Sequence, residues 1–60
     1  MPNNKTYSVE YGDYVAHWRT REAAVQDARY ESAKHGGIDV RVIDPDDKHE
    51  SIINVAPEEY

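Results

Sequence analysis

The stretch from Thr6 to Arg19 alternates in character on either side of Gly12-Asp13, and this alternation constrains the fold more than any other feature of the chain. Glycine accepts positive φ, so Gly-Asp suits the two-residue turn of a β-hairpin. If Tyr11 pairs with Tyr14, then Val9 faces Ala16 and Tyr7 faces Trp18. All six side chains then point to one side, because successive strand residues alternate between faces. The other side receives Thr6 with Arg19, Ser8 with His17 and Glu10 with Val15. A slip of one residue would mix the two sets, so the pattern predicts a half-buried antiparallel hairpin in this one register.

Thr20 follows as a helix N-cap, with Glu22 in the first turn and Lys34 and His35 in the last, where each charge complements the helix dipole. Gly36-Gly37 supplies the stop. A helix over 21–35 places Ala24, Val25, Ala28, Ser32 and His35 on one stripe flanked by Arg21 and Glu31, with Tyr30 at one margin. Glu31 is the anomaly, since a large aliphatic is expected beside a buried stripe. After the glycines, Ile38, Val40 and Val42 alternate with Asp39, Arg41 and Ile43, a strand signature. Asp44-Pro45-Asp46-Asp47 is a turn signal, and Ser51 to Ala56 alternates again before Pro57 ends the strand.

The expected architecture is therefore α+β: a single ββαββ domain over 1–60, in which a four-stranded antiparallel sheet carries one helix across one face. The strands are expected at 6–11, 14–19, 38–43 and 51–56, and 57–60 reads as a loosely held polar tail. The expected core is Tyr7, Val9, Tyr11, Tyr14, Ala16, Trp18, Ala24, Val25, Ala28, Ile38, Val40, Val42, Ile53 and Val55. Leucine and phenylalanine are absent, so the apolar content comes from Val, Ile, Ala, Tyr and Trp, a bias toward strands outside the helix. With no cysteine, neither a disulfide nor a Cys-based zinc site can compensate for the thin core of a chain of 60 residues.

Charge bears on function. The net charge is -5, and residues 1–37 are balanced, so residues 38–60 carry the whole excess. An acidic chain is a poor direct ligand for nucleic acid or for an anionic membrane, both of which need clustered Lys and Arg. No apolar run exceeds three residues, so a transmembrane helix and a signal-peptide core are excluded and a cytoplasmic, soluble protein is expected.

Chemistry finds little support in the residues. Ser8 opposes His17 in the hairpin, which is the minimum for nucleophilic catalysis, but no third group is placed to orient the imidazole. His17, His35 and His49 lack metal-ligand spacing. The segment Asp44 to Glu50 begins like a calcium loop, yet His49 stands where that loop needs glycine and Val55 where it needs glutamate. No enzyme, cofactor or metal is expected. Asp39, Asp44, Asp46, Asp47, Glu50, Glu58 and Glu59 instead suggest an acidic surface that imitates a phosphate backbone and occupies the basic groove of a nucleic-acid-binding or defence protein. The alternative is a homodimer or adaptor that works through the uncovered sheet face, where Val15, His17, Arg19, Arg41, Ile43 and Ile52 mix apolar and basic character. The expected oligomeric state is a monomer or weak homodimer.

The Gly12-Asp13 hairpin, Trp18-Arg19-Thr20 leading into the alanine-rich "TREAAVQDAR", the "KHGG" stop and the acidic final turn together resemble small ββαββ domains that occur as stand-alone proteins of unknown function in bacteria and phages. In size and charge the chain is also similar to acidic anti-CRISPR inhibitors, some of which are DNA mimics. That resemblance implies an inhibitor that acts on a protein partner with a basic surface in a bacterial host cell.

Overall fold

A computed structural model describes residues 5–60 and shows the expected ββαββ order. Strands β1 (Tyr7–Tyr11) and β2 (Tyr14–Trp18) form the first hairpin in the predicted register, from Tyr7 opposite Trp18 to Tyr11 opposite Tyr14. Gly12 takes φ +51, the conformation for which the turn needs glycine at its first central position. Helix α1 (Arg21–Lys34) follows, then β3 (Val40–Ile43), β4 (Glu50–Ile53) and a 3-10 turn at Pro57–Glu59. The sheet order is β2-β1-β3-β4, with every neighbouring pair antiparallel. The first hairpin thus meets the second along a β1–β3 seam, where Ser8, Val9 and Glu10 oppose Ile43, Val42 and Arg41.

The helix begins where Thr20 expects it to, with the Thr20 hydroxyl accepting from the Ala23 N–H at 3.1 Å. At the other end the Gly36 and Gly37 N–H groups donate to the carbonyls of Ala33 and Ser32. Both glycines take positive φ, which closes the last turn and reverses the chain towards the sheet. Ala24 and Ala28 are fully buried and let the helix lie close over Val9, Val40 and Val42. Tyr7, Tyr11, Tyr14, Ala16, Ile38 and Ile53 pack around this small centre.

The later strands are shorter than expected. The Ile38 N–H donates to the Ser32 carbonyl at 3.3 Å, so Ile38 belongs to the helix stop and β3 begins only at Val40. At the far side Val55 leaves the sheet because its N–H donates to Ser32 Oγ at 2.8 Å. Ser32 Oγ in turn donates to the Ile38 carbonyl at 2.6 Å, so one fully buried hydroxyl joins the helix, the approach to β3 and the segment after β4. The expected loose tail is instead a 3-10 turn packed on the helix, with the Tyr60 ring edge-on to Tyr30 at 5.9 Å.

The helix is also rotated from its expected setting. Its buried residues are Ala24, Ala28, Glu31, Ser32 and Ala33, whereas Val25 is half-buried and His35 exposed. The rotation turns the stripe away from Val25 and brings Asp27 and Glu31 over the aromatic sheet residues. Trp18, expected in the core, is 38% exposed at the end of the edge strand β2.

Candidate functional site

The rotation of α1 accounts for the anomalous Glu31. Tyr11 and Tyr14 stack at 4.8 Å between ring centroids, and their hydroxyls point to the helix. The Tyr11 hydroxyl donates to Glu31 Oε1 at 2.7 Å, and the Tyr14 hydroxyl to Asp27 Oδ2 at 2.9 Å. The indole Nε1 of Trp18 donates to the same Asp27 oxygen at 3.1 Å. His35 completes the group, with Nε2 3.4 Å from Glu31 Oε1 and its ring 5.3 Å from that of Tyr11. Acids one helical turn apart therefore satisfy the polar tips of three sheet aromatics. The hydrogen bond to Glu31, helped by burial and nearby negative charge, pushes the Tyr11 hydroxyl up to about 12. Burial first, and then the bond to Asp27, raises Tyr14 to about 12 as well. This cluster holds the helix to the sheet. Sequence reasoning missed it, although Asp27 and Glu31 at i, i+4 spacing opposite four aromatics was the available signal.

The predicted acidic residues divide into two sets. Asp44, Asp46, Asp47 and Glu50 come together around the β3–β4 turn. Asp44 Oδ1 accepts from the backbone N–H groups of Asp46 and Asp47, at 2.7 and 3.4 Å, and Asp47 Oδ1 accepts from the His49 N–H at 2.9 Å. Backbone bonds between Asp44 and His49 and between Lys48 and Asp44 close the loop. Asp46 pairs with Lys5, and the exposed ammonium is raised above the usual lysine range chiefly by that hydrogen bond. Asp39 lies beyond the opposite end of β3, about 16 Å away along the strand, where it accepts from Asn54 Nδ2 at 2.7 Å. Glu58 and Glu59 sit in the 3-10 turn packed on the helix.

The sheet face away from α1 is uncovered by the described residues. Strand pairing sets Val15, Glu10, Arg41 and Ile52 in one row across all four strands. A second row runs His17, Ser8, Ile43 and Glu50. Val15 and Ile52, at the two outer positions, are 56% and 57% exposed. Between them Arg41 Nη2 lies 3.5 Å from Glu10 Oε1. Arg19 falls just past the end of β2 and is exposed. His17 Nδ1 sits 3.3 Å from Ser8 Oγ and 3.4 Å from Thr6 Oγ1, an exposed cross-strand polar group in which two hydroxyls share one ring nitrogen. Among the described residues no group of three or more His, Cys, Asp or Glu side chains could hold a metal ion, and no helix is long and apolar enough to cross a membrane.

No protein-family model matches the chain, and no curated protein or solved structure matches it.

Proposed function

We propose that this chain is a non-enzymatic interaction protein that sets the acidic β3–β4 turn against a basic protein surface, in the manner of phage-type inhibitors that imitate DNA in the bacterial cytoplasm. One observation carries this reading: the turn concentrates Asp44, Asp46, Asp47 and Glu50 within seven residues, and its own backbone hydrogen bonds hold it in shape. A charged loop that is already ordered loses little entropy on binding, which favours affinity for Arg and Lys side chains. Asp39, Glu58 and Glu59 extend the negative field without joining the contact, because they lie at the other end of β3 and over the helix. The partner is a protein with a basic groove, such as a nucleic-acid-binding or host-defence protein.

The test must remove charge without opening the loop. Asp44→Asn, Asp46→Asn, Asp47→Asn and Glu50→Gln together do so, because asparagine makes the same side-chain-to-backbone turn bonds as aspartate. Wild-type and neutralised chains would each be used to capture proteins from a bacterial lysate, and the captured protein then titrated at rising salt. Wild-type chain should capture a basic protein with salt-sensitive affinity, and neutralisation should weaken binding at least tenfold. Capture of no basic protein, or affinity that survives neutralisation, overturns the reading.

A further inference from the structure

The two rows on the uncovered sheet face have a symmetry of their own. Read across the sheet, the first row is apolar, acidic, basic, apolar: Val15, Glu10, Arg41, Ile52. Rotating a second copy by 180° about an axis that lies parallel to the strands, between β1 and β3, reverses the order of strands and leaves each row at its own height. Val15 then faces Ile52 of the second copy, and Glu10 faces its Arg41. The second row obeys the same operation, with His17 brought opposite Glu50 and Ser8 opposite Ile43. No like charges meet in either row. A surface that complements itself under one two-fold rotation is what an isologous dimer requires.

We infer that the uncovered sheet face binds a second copy of this chain, forming a β-sandwich dimer in which Glu10 and Arg41 of each copy cross-pair with those of the other. Sheets packed in this way stand about 10 Å apart with strands within about 30° of alignment, so the central charges stay in register while the outer apolar residues shift slightly. The Glu10–Arg41 contact within one chain is open at 3.5 Å and both side chains are partly exposed, so each retains donors or acceptors for the second copy. The face is small. Four strands spaced about 4.8 Å and roughly four residues of about 3.3 Å along each give a footprint of about 250 Å² per copy, below the standard size of specific interfaces, which predicts a weak, concentration-dependent dimer. Because the axis runs along the strands, both β3–β4 turns lie at the same end of the dimer.

The experiment is sedimentation of the full chain from about 10 µM to 1 mM, a range that brackets weak association, combined with charge exchange at Glu10 and Arg41. Neither residue belongs to the acidic turn, so failure here and failure of the acidic reading are distinguishable. Wild-type chain should pass from monomer to dimer across the series. Glu10→Arg and Arg41→Glu should each remain monomeric, the double exchange should dimerise again, and an equimolar mixture of the two single variants should form a heterodimer. The last outcome is specific to pairing between chains, since neither single variant can form a Glu–Arg pair internally. Circular dichroism of each variant checks the fold, and Val15→Ser with Ile52→Ser, at exposed positions, gives a second set that should also lose the dimer. A wild-type chain that is monomeric throughout, or a dimer indifferent to charge exchange, overturns the inference. So does a monomer whose face variants lose binding to some other protein, which would assign the face to that partner.

Discussion

The Tyr11 hydroxyl donates to Glu31 Oε1 at 2.7 Å, so a glutamate that is only 8% exposed is held over the sheet by a residue twenty positions earlier in the chain. Removing the acid alone leaves the hydroxyl without its acceptor, whereas removing both partners leaves two apolar groups in contact. Glu31→Leu should therefore cost about 1–2 kcal/mol, and Tyr11→Phe combined with Glu31→Leu should recover most of that loss. Glu31→Gln, which keeps an acceptor oxygen, should be the mildest of the three. Urea denaturation of wild type, Tyr11→Phe, Glu31→Leu and the double variant completes the cycle, and strict additivity of the two single changes would show that the bond contributes nothing.

Raised tyrosine values make stability fall on the alkaline side. In the unfolded chain a tyrosine titrates near 10, and Tyr11 and Tyr14 are both raised to about 12 in the folded protein. Between these values the folded state binds more protons than the unfolded one, so stability decreases as pH rises. The contribution is fully present below about pH 10 and is lost as pH passes through about 12. Thermal melts from pH 8 to 12 should show a midpoint that declines over that window, and Tyr14→Phe should flatten the decline. A midpoint that held level through the window in the wild-type chain would contradict the assignment.

Ser32 is fully buried and its hydroxyl serves two backbone groups at once, accepting from the Val55 N–H and donating to the Ile38 carbonyl. Ser32→Ala orphans both. The expected loss is about 1–3 kcal/mol, with faster hydrogen exchange concentrated at Val55. Exchange that quickened evenly along the chain would point to general loosening instead of this one tie.

Lys48 takes φ 62 in the β3–β4 turn, a conformation that costs a side chain with a Cβ and costs glycine nothing. Lys48→Gly should stabilise the fold by about 0.5–1 kcal/mol, less the small entropy that glycine adds to the unfolded chain. A fall in the urea midpoint would mean that the lysine side chain contributes more than its backbone strain removes.

The parts of this fold that depend on near neighbours were legible in the sequence. The hairpin register followed from Gly12-Asp13 and strict alternation, and the ends of the helix from Thr20 and the glycine pair. The rotation of the helix was not legible, because Ala24 and Ala28 mark a stripe only weakly and nothing near Asp27 or Glu31 in the chain shows what satisfies these two carboxylates. Their donors lie 13 and 20 residues away, on strands whose own placement depends on the helix. The candidate acidic site was legible as composition, and its division was not: Asp39 and Asp44 stand at opposite ends of β3, and the tail carboxylates follow a chain that Ser32 draws onto the helix. Strand order was beyond reach for a related reason, since β1 and β3 are joined by pairing across more than thirty residues.

That β1–β3 seam divides the molecule into two pieces of different kind. Residues before the glycine pair hold a hairpin and the helix, and residues after it hold a second hairpin, so each piece presents a strand edge that the other completes. The two turns close short loops, whereas pairing Val9 with Val42 closes one of more than thirty residues and carries the larger loop-closure entropy. Two peptides cut between Gly36 and Gly37 should then recognise one another by strand addition along this seam, and recovery of the intact chain's circular dichroism on mixing checks it.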